Sequence, residues 1–207
     1  MFLVSRTRMG YKTMRRLVTF GCSFTYGSGL KQRKRAWPYL VGETLLKDGT
    51  VYAKKVINKG IPGASNLEIL CEILTFDFHY NDVVVIMWSL PFRDLAFTKK
   101  KWEQIGLWSK GPHLDKILAS EEIDYTKKTW LYMQHADLYL QTQKVKYIHY
   151  PAAPKDLMKH QLDFIYINNL FLTRTAKIDN ALDGQHPGPK SNKKQADEIV
   201  RILNDII

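Results

Sequence analysis

The chain has 207 residues, 45% hydrophobic and 25% charged, with 31 Lys and Arg against 20 Asp and Glu for a formal charge of +11. That length suits one domain able to bury its own core, and the composition is that of an ordinary globular protein. Two cysteines exclude a disulfide framework, no apolar run approaches the ~20 residues that span a bilayer, and Phe2-Leu3-Val4 is too short for a signal-peptide core. The expectation is a cytoplasmic protein, or one released by lysis, with reduced thiols and no membrane partner.

Residues 1–15 read as a flexible basic arm, since Arg6, Arg8, Lys12 and Arg15 occur there without an acid. Lys31, Arg33, Lys34 and Arg35 form a second basic cluster, and Lys99-Lys100-Lys101 a third. Such charge favours polyanions, but no nucleic-acid-binding signature accompanies it, so nucleic acid is disfavoured as a partner. Residues 16–207 read as a single domain. Arg16–Phe20 is a strand with the continuous apolar character of a central parallel one, and Gly21 ends it. Trp37–Leu46 is a helix with Pro38 in its first turn and Trp37, Leu40, Val41, Thr44 and Leu45 facing the core.

A second strand spans Val51–Asn58, followed by a Gly- and Pro-rich loop to Ser65. Ser65 or Asn66 caps a helix running to about Phe76, in which Cys71 reads as a buried small residue. Asp82–Trp88 contains the most continuous apolar run and is the central third strand. Residues 94–119 read as an inserted excursion or lid with one short helix at most. A helix over Glu121–Gln141, capped by Ser120, offers Ile123, Trp130, Leu131, Leu138 and Leu140 as its core face. Lys146–Tyr150 is a fourth strand, residues 154–161 a short helix, and Phe164–Ile167 a short fifth strand or a helical turn. Ser191 or Asn192 begins a last helix to Asn204 with Ala196, Ile199, Val200 and Leu203 inward. Strands alternating with helices imply a parallel sheet with right-handed crossovers.

Two stretches carry candidate chemistry. Gly21-Cys22-Ser23 puts a serine at the carboxyl end of a sheet strand, where open α/β sheets place their ligand sites. Asp183-Gly184-Gln185-His186-Pro187-Gly188 supplies a base and its partner. A serine hydroxyl is a weak nucleophile until a base takes its proton, and the base needs an orienting group. His186 fits the first role and Asp183 the second. Cys22 is disfavoured as a nucleophile: neighbours in an extended segment point opposite ways, so Cys22 faces the core when Ser23 faces the cleft. The remaining histidines lack metal-ligand spacing, so no metal and no cofactor are expected.

These blocks resemble the SGNH or GDSL-type hydrolases. Gly21-Cys22-Ser23 matches that family's first block, Asn58–Ser65 its Gly-containing loop after strand two, and Asp183 with His186 its Asp-x-x-His. The resemblance covers roughly residues 16–205 and is nearest to bacteriophage or environmental bacterial members. It implies a three-layer α/β/α, flavodoxin-like fold with about five parallel strands, and a serine esterase acting through a Ser23–His186–Asp183 triad and an acyl-enzyme. It also implies an oxyanion hole of the Ser23 N–H, the N–H of Gly63 (with Gly60 as rival), and an Asn side chain after strand three. This chain has Trp88-Ser89-Leu90-Pro91-Phe92-Arg93 there, without the Asn. Three arrangements stay open: the Ser89 hydroxyl donates instead, Arg93 reaches the anion or binds an acidic substrate, or only two donors act. Arg93 has a competing use as a surface partner of Asp94 or another acid.

The implied substrate is a small acyl ester, such as an O-acetyl group on a saccharide. Trp102 or Trp108 could line a carbohydrate groove, although the aromatic residues between Trp88 and Tyr132 also suit core packing. The competing reading is a catalytically weak binding or structural module of the same fold, virion-associated or holding a polyanion on its basic surface. The sequence assigns no oligomeric state.

Overall fold

The computed structural model describes residues 16–47, 55–98, 101–106, 108–110, 122–158, 162, 165–172 and 176–206. The arm 1–15, the strand start at 51–54, Lys99 and Lys100, residues 111–121 of the excursion with the Ser120 cap, and positions 163–164 lie outside the described residues. In chain order the elements are β1 (Arg16–Gly21), α1 (Ser23–Tyr26), a 3₁₀ turn (Arg33–Arg35), α2 (Trp37–Lys47), β2 (Lys55–Gly60), α3 (Asn66–Leu74) and β3 (Val83–Trp88). They continue with β4 (Asp94–Thr98), β5 (Lys101–Ile105), α4 (Glu122–Gln143), β6 (Lys146–Pro151), α5 (Pro154–Met158) and α6 (Pro189–Ile206).

β1, β2, β3 and β6 form a parallel sheet in the order β2-β1-β3-β6. Both faces are covered, which is why β1 and β3 read as unbroken apolar runs rather than alternating ones. Val18, Phe20, Val84, Ile86, Trp88 and Tyr147 face one way, against Ile69 and Ile73 of α3 and Trp130, Met133 and Leu140 of α4. Leu17, Val83, Val85, Met87, Ile148 and Tyr150 face the other, against Trp37, Val41 and Leu45 of α2 and Ala196, Ile199 and Leu203 of α6. Each such side chain contributes about 1.5–3 kcal/mol on leaving water. The expected three-layer α/β/α architecture is therefore observed, with four sheet strands among the described residues against the five expected. Ile165–Ile167 is not a strand; the next position beyond β6 holds a single parallel bridge between His149 and Leu170.

The strand register positions the site. Gly21 pairs with Gly60 on one side and Met87 on the other, so the segments after β1, β2 and β3 emerge together at the carboxyl edge. They are tied there: Ile61 N–H donates to Gly21 C=O (2.9 Å), and Asn58 Nδ2 donates to Thr25 C=O (2.8 Å).

Three expectations need correction. The excursion, for which no strand is expected, contains an antiparallel hairpin of β4 and β5 in its described part. Cys71 is exposed, because Ile69, Leu70 and Ile73 take the inner face of α3 and leave it outward. On α4, Leu131 and Leu138 are exposed, whereas Thr126, Thr129, Trp130, Met133, Ala136, Asp137 and Leu140 are buried. The Ile123 side chain lies outside the described set.

Candidate functional site

Ser23 opens α1, with Cys22 as the extended residue before it. As the first helical residue, Ser23 has an N–H with no acceptor inside the helix. Its side chain is turned inward: the residue is only 4% exposed, and Oγ is buried without a hydrogen-bond partner. Cys22 is buried in the core layer with Val18 and Phe20, as its position opposite Ser23 predicts.

Asp183 and His186 come from the turn before α6. His186 Nδ1 lies 2.6 Å from Asp183 Oδ2, while the N–H groups of Gln185 and His186 both donate to Oδ1 at 3.0 Å. Those two backbone bonds, with the His186 ring bond behind them, lower the Asp183 pKa to about 2. The ionised carboxylate can only accept, so the neutral imidazole carries its proton on Nδ1 and leaves the Nε2 lone pair free. The loop docks beside the nucleophile segment. Leu182 N–H donates to Gly29 C=O (3.0 Å), and the His186 ring meets the Phe24 ring edge to face at 5.8 Å. Ser23 Oγ and His186 share no hydrogen bond; the chain neighbour Phe24 makes the contact instead.

The second block is built around Gly63, at φ +80°, a conformation that a side chain would strain. Its exposed Cα face is filled from above: a Cβ there would lie 2.4 Å from Gln104 Oε1. Gln104 is held by its other end, with Nε2 donating to Glu68 Oε1 at 2.9 Å. Glu68 itself closes a capping box with Ser65 at the start of α3. Gly60, the rival donor, gives its N–H to Asn58 Oδ1 at 2.9 Å and is thereby occupied.

The third block is pinned by a residue that the sequence suggests only as a cap. Asn66 is buried; its Oδ1 accepts from Ser89 N–H (2.7 Å), and its Nδ2 donates to Ser89 C=O (3.2 Å) and Thr129 Oγ1 (3.0 Å). The Ser89 hydroxyl is buried with no partner. Arg93 closes a turn onto Leu90 C=O (3.3 Å), and its guanidinium lies over the Trp108 ring at 5.2 Å. It does not pair with Asp94, whose carboxylate accepts from its neighbour Leu95 N–H and lies 3.7 Å from Lys128 Nζ.

Two recesses flank this edge. One of about 710 Å³ lies between α3 and the hairpin, lined by Ile61, Leu67, Glu68, Cys71, Trp102 and Gln104 among others. A smaller one of about 110 Å³ is lined by Phe24, Tyr150, Ala152, Lys177, Pro187 and Gln195 among others. Among the described residues no group of His, Cys, Asp and Glu side chains could hold a metal ion, and no helix is long and apolar enough to cross a membrane.

No protein-family model matches the sequence, and no curated protein matches it as a relative. The fold does match solved structures. A lipase/acylhydrolase from Enterococcus faecalis is 19% identical, with 94% of this chain and 98% of that one covered at a TM-score of 0.55. TesA is 14% identical over 93% of this chain and all of its own, at 0.58. A two-domain esterase active on acetylated mannans is also 14% identical, over 93% of this chain and 49% of its own, at 0.53. The chain therefore has the fold of the GDSL or SGNH lipolytic proteins and esterases.

Proposed function

We propose that the protein is a serine ester hydrolase in which Ser23 attacks, His186 moves the proton and Asp183 orients His186. The observation that carries this reading is the Asp183–His186 pair, locked in the tautomer a general base requires and seated against Phe24, the residue next to Ser23. In the reaction, Ser23 Oγ bonds to the ester carbonyl carbon as its proton passes to His186 Nε2. The Ser23–His186 hydrogen bond that this step needs forms on substrate binding; catalytic hydrogen bonds are often long or misaligned before that. The Ser23 and Gly63 N–H groups and the Ser89 hydroxyl are the donors for the developing oxyanion. The engaged Gly60 N–H and the unpartnered Ser89 Oγ support that choice. The alcohol leaves with the proton from His186, and water then cleaves the acyl-enzyme by the same route.

A short acyl group, acetyl above all, suits the smaller recess of about 110 Å³. A saccharide alcohol suits Trp102 and Trp108, which are 64% and 50% exposed and offer aromatic surface to sugar rings. One structure of this fold is an esterase active on acetylated mannans, which is consistent with that substrate class. The second reading, a binding module of the same fold, is favoured by one observation: Ser23 Oγ is buried and not bonded to His186.

A fluorophosphonate probe separates the two. It reacts only with an activated serine and needs no knowledge of the substrate. Expected is stoichiometric labelling at Ser23 by peptide mass, absent in Ser23→Ala and slowed by about 10³ or more in His186→Ala, with both variants folded. A folded wild type that takes no label leaves the binding module as the function.

A further inference from the structure

We propose that the ester substrate carries an oxyanion, a carboxylate or a phosphate, and that Arg93 is its anchor. This rests on the hydrolase reading for the ester and on Arg93 alone for the anion.

The guanidinium is half withdrawn from water. Its Nε and Nη1 are buried, and neither has a hydrogen-bond partner. The acid next to it in sequence is turned away, toward Leu95 N–H and Lys128. No carboxylate pairs with Arg93 among the described residues. A guanidinium is permanently charged, and its N–H donors cannot be satisfied by an aromatic face alone. Leaving such donors unpaired and desolvated is costly, so an acceptor that reaches them is favoured.

The arginine is also held ready. Its guanidinium carbon lies over the Trp108 ring, 5.2 Å from the ring centre, and the Trp108 ring abuts Gly106, whose N–H donates to Ser109 Oγ at 3.1 Å. A cation held over a ring face keeps its N–H donors available, which is the preorganisation that oxyanion recognition needs. Its place in the chain puts it on a loop of the same sheet edge as Ser23. Arg93 follows Ser89 in one turn at the carboxyl end of β3, and Ser89 is fastened through Asn66 to the start of α3, next to Gly63.

The rim agrees in sign. Lys31, Arg33, Lys34 and Arg35 are exposed on the segment that follows α1, and the same segment contacts the Asp183 loop through Gly29. An edge so charged, in a chain of formal charge +11, draws anionic substrates toward the cleft.

The test compares phenyl acetate with 3-acetoxybenzoate and 3-acetoxyphenyl phosphate, the same acetyl ester carrying no anion, a carboxylate or a phosphate. The wild type is expected to prefer one anionic ester over phenyl acetate by about tenfold or more in kcat/KM, expressed in KM. In Arg93→Gln that ratio should fall to near one, and in Arg93→Lys it should be partly kept. Which anion is preferred identifies the source. A wild-type ratio near one, or a ratio unchanged in Arg93→Gln, overturns the proposal; an equal kcat loss on all three esters would make Arg93 an oxyanion donor instead. If Ser23 takes no fluorophosphonate and no ester is cleaved, the hydrolase reading fails separately. Calorimetry with benzoate and inorganic phosphate then decides the anchor: saturable binding lost in Arg93→Gln supports it, and no binding overturns it.

Discussion

Asp183 is fixed from two sides, by hydrogen bonds within its own turn and by the bare backbone of Gly29 against which it rests. Gly29 has φ +75°, and a Cβ there would sit 2.4 Å from Asp183 Oδ2. Gly29→Ala therefore meets both a backbone penalty of about 1–2 kcal/mol and a clash with the carboxylate that orients His186. The expected outcome is a modestly lower unfolding midpoint together with fluorophosphonate labelling slowed well beyond what the stability loss explains. Normal labelling in a destabilised protein would show that the carboxylate position is not needed. The charge state itself is robust. With its pKa lowered to about 2, first by the His186 and Gln185 N–H groups, the carboxylate's stabilising bonds are complete above the usual pKa of about 3.8. They are lost only as pH falls through about 2. The Asp183–His186 pair was legible because residue type and spacing within one short block bring the two side chains together. Gly29 was not, since the atom that excludes its side chain belongs to a loop at the far end of the chain.

The element that joins the blocks is the start of α3. Asn66 there bonds both backbone groups of Ser89 and, across the layer, Thr129 of α4. Asn66→Ala would leave the buried Ser89 N–H without its acceptor, at a cost of about 1–3 kcal/mol. Asn66→Asp keeps an acceptor for that N–H but loses the donor to Ser89 C=O. Urea unfolding is expected to rank wild type above Asn66→Asp at neutral pH, with Asn66→Ala also well below wild type. Ester turnover is expected to fall in both variants more than stability does, because the Ser89 hydroxyl is displaced; turnover that follows stability alone would reduce Asn66 to a structural clamp. The sequence identified the helix but not this task, because an Asn at a helix start is already explained by capping. The same limit explains α4. Its inner face includes Thr126, Thr129 and Asp137, so a search for apolar spacing drew in Leu131 and Leu138, which lie outside. The hairpin of β4 and β5 was missed because Lys101, Trp102 and Glu103 face solvent or a shallow groove, without the alternation of a strand over a core.

At the scale of the molecule, the order of strands and helices followed from the alternation of apolar runs and from one crossover hand. The edge beyond β6 did not, because a buried polar network closes it there in place of a full strand. Trp88 Nε1 donates to His149 Nδ1 (2.9 Å), and His149 Nε2 faces Asp137 Oδ1 at 3.6 Å. Asp137 also accepts from Tyr147 OH and from Asn168, joining α4, β6 and the segment that bridges to His149. His149 is wholly buried, and burial lowers its pKa below the usual 6.5 although Asp137 pulls it upward. The unfolded chain thus takes up a proton at this histidine as pH drops through about 6.5, while the folded protein does so only at lower pH. The contribution to stability is complete above pH 6.5 and shrinks below it, by at most about 1.4 kcal/mol per pH unit for one proton. His149→Gln keeps an acceptor for the Trp88 N–H and cannot titrate. Urea midpoints measured from pH 7.5 to 5 should place the variant below wild type at the upper end, with the gap narrowing as pH falls. The exchange removes the His149 titration together with the pull that His149 exerts on the Asp137 carboxylate, so the narrowing reports the pair. Parallel curves would mean that His149 binds its proton equally well in the folded and unfolded states, and that the acid sensitivity of this fold lies elsewhere than the closed edge of its sheet.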